Sequence, residues 1–265
     1  MPNFGWVSLT TDYGLSDGFV AACHGVIARI GPQLRVIDVT HQVAPGDVAR
    51  GAALLAQAVP HLPPAVHVAV VDPGVGTARR PVAVATPGGL LVGPDNGLLP
   101  WAAEALGGAT AAVELANRDW FGHPVSRTFH GRDVFAPVAA RLANGAPLAG
   151  AGPAVPPERL VRLPDPVASA GPGWLEAEVL TVDRFGNVQL AAQATALAGL
   201  GAAVTVGGVP AVRGGTFADA PAGGLVVLAD STDRVAVAVN GGRAAVVLGV
   251  APGDLLRIAD QHPDH

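Results

Sequence analysis

The stretch that most constrains the fold is Val66–Pro81, VHVAVVDPGVGTARRP. Val66 to Val71 are apolar or β-branched around a single histidine, the pattern of a strand buried on both faces. The run stops at Asp72-Pro73-Gly74, because proline and glycine do not continue a central strand. Asp72 is thus predicted just past the carboxyl end of a strand in an open parallel α/β sheet, the edge at which such sheets bind ligands. Gly74 and Gly76 let the backbone pass close to a neighbour, and Arg79-Arg80 follow within one loop. A carboxylate and a guanidinium on one tight loop either orient a nucleophile or polar substrate, or form an ion pair beside an ordinary turn.

The flanking sequence fits the same sheet. Trp6–Thr11 reads as a first strand that also ends in an acid, Asp12. Asp17 is positioned to cap a helix running to Ile30 and stopped by Gly31-Pro32. Arg35–Val39 reads as a second strand, followed by Thr40-His41. Asp47 is expected to cap a helix from Val48 to Val59. Pro81–Ala85 and Leu90–Val92 form a hairpin-like pair, and Gly93–Gly97 a polar turn holding Asp95. A short helix over Trp101–Leu106 and a strand over Ala111–Leu115 follow. Thr128–Asp133 is a polar cluster entering a helix over Val134–Leu142, closed by Asn144-Gly145. Strands alternating with helices predict an α/β domain over 1–150 with a mostly parallel sheet covered on both faces.

Proline and glycine then dominate, and 151–173 is expected to be a surface linker. From 174 to 265 short β runs are separated by glycine-rich turns: Glu176–Val182, Val188–Leu190, Ala203–Val206, Gly224–Leu228, Arg234–Val239 and Leu255–Ile258. These predict a smaller, antiparallel, barrel-like β domain.

Composition removes several classes of function. Net charge is −5 over 265 residues, with no basic patch for nucleic acid. All 16 basic residues are arginine, so Schiff-base and P-loop lysines are excluded. One cysteine, Cys23, makes no internal disulfide or thiolate metal cluster. No apolar run reaches the roughly 20 residues of a membrane span, and the first residues lack a signal-peptide pattern. A cytoplasmic protein acting on a small molecule is the expectation.

Polar groups at strand ends are the candidate chemistry: Asp12, Asp72, Asp95, and His130 with Arg132-Asp133. A single carboxylate such as Asp12 suits the paired hydroxyls of a ribose. His130 is the best acid–base candidate, since histidine titrates near neutrality. His67, within a buried strand, reads as a hydrogen-bonded core residue, and His41 as a turn cap. Asp12, Asp72, His41 and His130 could supply metal ligands, but no HExxH or DxD motif supports this, and no metal is expected. In the β domain, Asp183–Asn187 is a tight turn carrying Phe185. It either stacks on a base and binds a polar head group, or satisfies its own backbone.

Together these stretches resemble the S-adenosylmethionine hydroxide adenosyltransferases, or SAM hydrolases, relatives of the fluorinase and chlorinase enzymes. The matching blocks are LTTDYGLSDGFV (9–20), IDVTHQVAPGDV (37–48), VHVAVVDPGVGTARRPVAV (66–84), GPDNGLL (93–99), TFHGRDVFAPVAARLANG (128–145), VDRFGNV (182–188) and AVNGGRAAVVLGVAPGD (238–254). They occur in the family's order and cover nearly the whole chain.

The resemblance implies an α/β domain, a β-barrel domain and a homotrimer with substrate between subunits. It implies a catalytic set of Asp72, Arg79 and His130. Substrate contacts fall on Asp12 for the ribose hydroxyls, on Asp183, Phe185 and Asn187 for the methionine and adenine ends, and on Ser231 for the methionine carboxylate. S-adenosylmethionine is then substrate, and no cofactor is expected. The implied reaction is attack of water or hydroxide at the ribose C5′, giving adenosine and L-methionine. Asp72 and His130 would accept and orient the water's protons and Arg79 would stabilise hydroxide. Halogenating relatives carry tyrosine in place of Asp72 and serine in place of Gly131, so halogenation is the weaker alternative. A non-catalytic adenosine or S-adenosylmethionine sensor is the other. The chain departs from the pattern at Gly46, where relatives carry an aromatic residue, at Asp233, usually glycine, and at Ala191, commonly asparagine.

Overall fold

A computed structural model describes residues 4–261. The chain divides into two compact units, Met1–Leu163 and Pro164–His265.

The first unit holds β1 (Trp6–Thr11), α1 (Phe19–Ile30), β2 (Arg35–Thr40), α2 (Val48–Ala58), β3 (Val66–Val70), β4 (Pro81–Thr86) and β5 (Gly89–Pro94). It continues with α3 (Pro100–Ala105), β6 (Ala111–Glu114), α4 (Ala136–Ala143) and β7 (Ala154–Val155). One 7-stranded sheet runs in the order β2-β1-β3-β5-β4-β6-β7. Strands β2, β1, β3, β5 and β6 point the same way and β4 and β7 oppose them, so the sheet is mostly parallel, as the alternating pattern predicts.

Strand β3 is buried along its whole length. Val66, Val68 and Val70 face the core shared with α1 and α4, whereas Ala69 and Val71 face the core shared with α2 and α3. Period-two alternation between two apolar layers explains why the segment reads as a continuous hydrophobic run. His67 is the polar exception. It is fully buried, and its Nδ1 lies 2.8 Å from Ser8 Oγ on β1. Burial pushes its pKa down to about 4, so it is a neutral core residue.

The connections put the carboxyl ends of β1 and β3 beside each other, with Thr11 opposite Val70. From β1 the chain turns outward through α1 to β2. It then crosses back over β1 through α2 to β3, leaving a crevice where the direction of winding changes. Asp47 caps α2, its Oδ1 accepting from Arg50 N at 3.0 Å. Asp17 is not a cap: α1 begins at Phe19 with Gly18 at the capping position and no side-chain cap.

The second unit holds β8 (Ala168–Gly171), β9 (Trp174–Val182), β10 (Val188–Gln193), β11 (Ala203–Val206), β12 (Val209–Arg213), β13 (Leu225–Ala229), β14 (Arg234–Val239), α5 (Ala244–Leu248) and β15 (Leu255–Asp260). Its strands run β10-β14-β13-β12-β11-β15-β9, and β9 pairs again with β10. That closes a barrel and leaves β8 as a flap on β9. Inward residues alternate along β9, where Leu175, Ala177 and Val179 enter the barrel core.

The expected linker at 151–173 is structured. Ala154–Val155 pairs with β6 and Ala168–Gly171 pairs with β9, so the unit boundary falls between Leu163 and Pro164. Proline confines these pieces to sheet edges without abolishing them. Strand β12 goes unpredicted because it contains Pro210.

His67 makes this fold sensitive to acid. A histidine held neutral by burial adds stability above the ordinary value of 6.5 that is lost as pH falls towards about 4. Urea titrations at neutral pH and near pH 5 should show a loss of stability that shrinks in His67→Gln. Ser8→Ala, which strands the buried Nδ1, should cost about 1–3 kcal/mol at neutral pH.

Candidate active site

The loop after β3 folds back on itself. Val75 N donates to Asp72 O at 3.2 Å, Thr77 N to Gly74 O at 3.2 Å, and Thr77 Oγ1 to the same carbonyl at 2.7 Å. These turns return Arg79 to Asp72. Arg79 Nε donates to both carboxylate oxygens at 3.0 Å, and NH2 donates to Oδ2 as well. The side chains are 10% and 5% exposed, so this is a desolvated ion pair. The guanidinium also stacks 5.2 Å from the centroid of Phe135, which is fully buried.

Arg79 NH2 lies 2.9 Å from His130 Nδ1. A guanidinium has no lone pair to offer, so Nδ1 must accept and the proton of the neutral ring resides on Nε2. Burial, followed by the charge of Arg79, lowers the His130 pKa below 6.5, which keeps that tautomer neutral. His130 leads into a π-helical turn, Gly131–Phe135, continuous with α4. Gly76 locks the two segments together. Its φ is 76°, and a Cβ there would stand 2.5 Å from Arg127 O, so the Asp72 loop touches the backbone leading to His130 only because position 76 has no side chain.

Asp12 follows β1 in the neighbouring position. Its Oδ2 accepts from Gly46 N at 2.9 Å, which joins the loop after β1 to the one entering α2. Only Pro73 Cβ, at 3.8 Å, lies within 4 Å of a side chain built at Gly46. The space immediately around position 46 is therefore open, with Pro73 at its edge.

Other predicted acids prove structural. Asp95 accepts from Arg80 Nε at 2.9 Å and Val161 N at 2.8 Å. Asp133 accepts from Arg132 Nε at 2.6 Å and Ser126 N at 2.8 Å. Burial would raise the Asp133 carboxyl, but these donors outweigh it and hold it below the usual range. His41 is engaged by β1, with Nδ1 2.8 Å from Thr11 Oγ1. Among the described residues the one group of three metal-type side chains within reach of one another is His24, Asp38 and His41, not Asp12, Asp72 and His130.

In the second unit, Asp183 secures its own turn. Oδ1 accepts from Phe185 N at 2.8 Å and Asn187 N at 2.9 Å, and Oδ2 accepts from Asn187 Nδ2 at 2.8 Å. The turn holds Phe185 69% exposed. Ser231 is exposed in the turn entering β14, whereas Asp183–Asn187 enters β10. As β10 and β14 are antiparallel, the two turns stand at opposite ends of their pairing. Asp230 organises the Ser231 turn, with Oδ1 accepting from Thr232 N at 2.8 Å and Arg234 N at 3.1 Å. Asp233 has φ 58°, a left-handed conformation that explains why glycine is usual at this position. Gln189 supports this turn through Thr232 Oγ1 at 3.0 Å; no motif marks it.

Tyr13 also escapes sequence reasoning. It packs edge-on to Phe129, with centroids 5.6 Å apart at 81°, and burial pushes its hydroxyl pKa upward. A Cβ at Gly131 would stand 2.0 Å from the Tyr13 hydroxyl oxygen. Tyr13 thus fills the space a larger residue at 131 would need. Gly131→Ala should therefore destabilise the protein by about 1–3 kcal/mol in chemical unfolding. Adding Tyr13→Leu should recover most of that loss; equal losses in the single and double variants would refute the steric reading.

The chain matches the SAM hydroxide adenosyltransferase N-terminal domain over residues 7–152 and the C-terminal domain of the same family over 177–257. It is 68% identical over 253 residues to a Salinispora tropica protein named (R)-S-adenosyl-L-methionine hydrolase, covering 96% of this chain and 97% of the relative. A Thermus thermophilus protein of the same name is 44% identical, covering 95% and 98%. A fluorinase from Actinoplanes is 30% identical over 69% of this chain and 70% of its own. Among solved structures, an uncharacterized conserved protein from Thermotoga maritima superposes with a TM-score of 0.89 at 36% identity, covering 96% of this chain and 99% of that one. With both domains matched and the fold shared, this chain belongs to the SAM hydroxide adenosyltransferase family.

Proposed function

We propose that the protein hydrolyses S-adenosyl-L-methionine to adenosine and L-methionine. The observation that carries this reading is the Asp72–Arg79–His130 constellation, in a chain so similar to proteins named for that activity. The substrate's sulfonium makes methionine a neutral leaving group, so no acid is needed at sulfur. The missing ingredient is an oxygen nucleophile in line with the C5′–S bond. As the O–C5′ bond forms, the C5′–S bond breaks and its electron pair stays on sulfur.

Roles follow from the donors and acceptors. Asp72 is the proton acceptor, because the His130 Nδ1 lone pair is taken by Arg79. His130 orients the water through its Nε2–H, and the fixed charge of Arg79 favours hydroxide character. This narrows the sequence expectation, in which both Asp72 and His130 accept protons. Asp12 is assigned to the ribose hydroxyls, through the oxygen not held by Gly46 N. Phe185 offers an exposed aromatic face to the adenine, Asp183 and Asn187 a polar rim, and Ser231 a hydroxyl for the methionine carboxylate. The chemistry so derived uses no metal or cofactor. We further propose a homotrimer in which each site combines residues of neighbouring subunits, on the strength of the family resemblance. A cytoplasmic enzyme is part of this reading: its one cysteine is buried and free, as a reducing compartment favours. Among the described residues no helix is long and apolar enough to cross a membrane.

Incubation with S-adenosylmethionine in oxygen-labelled water should yield adenosine carrying the label, together with methionine. S-adenosylhomocysteine as product, or binding without turnover, would overturn the assignment, the latter in favour of a sensor. Asp72→Asn should lower kcat by about 10²–10⁴. Because His130 is already neutral below the usual 6.5, activity should persist as pH falls past that value. It should drop only when protonation sets an Nδ1–H against Arg79. For the trimer, inactive Asp72→Asn and Asn187→Ala chains should regain partial activity when mixed and reassembled, since some sites then unite two intact halves. Absence of recovery in verified mixed trimers would place each site within one chain.

A further inference from the structure

His24 on α1, Asp38 on β2 and His41 just after it meet outside the catalytic constellation. His24 Nε2 lies 2.8 Å and His41 Nε2 3.0 Å from the same oxygen, Asp38 Oδ1. One ligand atom from each of the three residues fits within 4.8 Å of the others.

The His41 contact is incomplete as a hydrogen bond. His41 is 4% exposed. Although Asp38 Oδ1 stands 3.0 Å away, the buried Nε2 forms no well-aligned hydrogen bond. The other nitrogen, Nδ1, is fixed at 2.8 Å from Thr11 Oγ1, which also accepts from Tyr13 N at 3.2 Å. If Nδ1 carries the proton, Thr11 accepts it and a bare Nε2 lone pair faces a carboxylate oxygen. If Nε2 carries it, the proton is misaligned. A cation between the two imidazoles and the carboxylate resolves both cases, since lone pairs that repel one another converge on a metal instead.

We propose that His24, Asp38 and His41 form a binding site for a divalent transition-metal ion of the zinc class. Two imidazoles and a carboxylate are a donor set suited to Zn²⁺, with ligand distances of about 2.0–2.2 Å and a fourth position for water. Thr11 orients the buried imidazole from behind, as a hydrogen-bond partner on the far nitrogen of a metal-bound histidine does. His24 opens onto a groove of about 420 Å³ lined by Leu15, Asp17, Val20 and Ala21, which supplies an entry path. The bound ion would pin α1 to the end of β2. It would also brace the loop after β1, because Gly14 N donates to His41 O at 2.7 Å. The role is structural and separate from the chemistry at Asp72.

The test uses the full chain, freed of metal with chelator and titrated with Zn²⁺ by calorimetry and with Co²⁺ by visible absorption. The expected result is one saturable equivalent per chain, ligand-field bands of a low-coordinate nitrogen–oxygen site, and a zinc-dependent rise in Tm. His24→Ala, a half-exposed helix position that leaves the core intact, should weaken affinity at least ten-fold and remove the Tm rise. Thr11→Val should weaken it about 10–100-fold. No saturable binding by the wild-type chain, or unchanged affinity in His24→Ala, would overturn the proposal, the latter marking adventitious binding elsewhere.

Discussion

A carboxylate at the end of a strand buried on both faces has to be paired, and Arg79 pairs it. Asp72 sits where β3 leaves two apolar layers, with little water to solvate its charge. Losing the partner of such a group costs about 3–5 kcal/mol. The pair therefore dictates the loop between them: its turns, the glycine at 76, and the Phe135 ring under the guanidinium. Because Arg79 has donors left after Asp72, it also fixes the tautomer of His130. One desolvated cation thus sets the protonation pattern of the whole constellation.

Much of this was legible in the sequence because it rests on local rules. A continuous apolar run ending in Asp-Pro-Gly locates β3 and the carboxylate at its tip. Strand–helix alternation predicts a mostly parallel sheet, so that acids following different strands share one edge, as Asp12 and Asp72 do after the paired β1 and β3. The β runs after residue 174 close into a barrel as their spacing predicts, antiparallel except where β12 and β13 run parallel. His67 reads as a core residue because a lone polar residue inside a buried strand is held by a neighbouring strand; Ser8 on β1 meets its Nδ1, while the buried Nε2 has no partner among the described residues.

What was not legible depends on partners far apart in the chain. Asp95 and Asp133 look like site acids until Val161 N, Arg80, Ser126 N and Arg132 are seen to occupy them. The segment 151–173 looks like linker because proline suppresses strand signals, although edge positions tolerate it. Tyr13 and Gly131 are complementary in volume across more than a hundred residues, and no spacing rule connects them. The Asp38–His41 spacing is local, but His24 joins it only because α1 packs back over the edge of the sheet.

Under the proposed function the two units would meet a ligand in different ways. In the first, charge is stored: an ion pair and a neutral histidine are held in fixed geometry before any substrate arrives, which lowers reorganisation at the moment of reaction. In the second, shape is stored. The Asp183 carboxylate already accepts from Phe185 N, Asn187 N and Asn187 Nδ2, so the turn is braced without a ligand and Phe185 is displayed rather than collapsed onto the barrel. A preordered aromatic face loses little entropy on binding. It gains by covering apolar surface that is otherwise exposed to water. In the proposed site the ring thus supplies the apolar contact, while Asp183 both braces the ring and keeps a lone pair on Oδ2 for a polar group of the ligand.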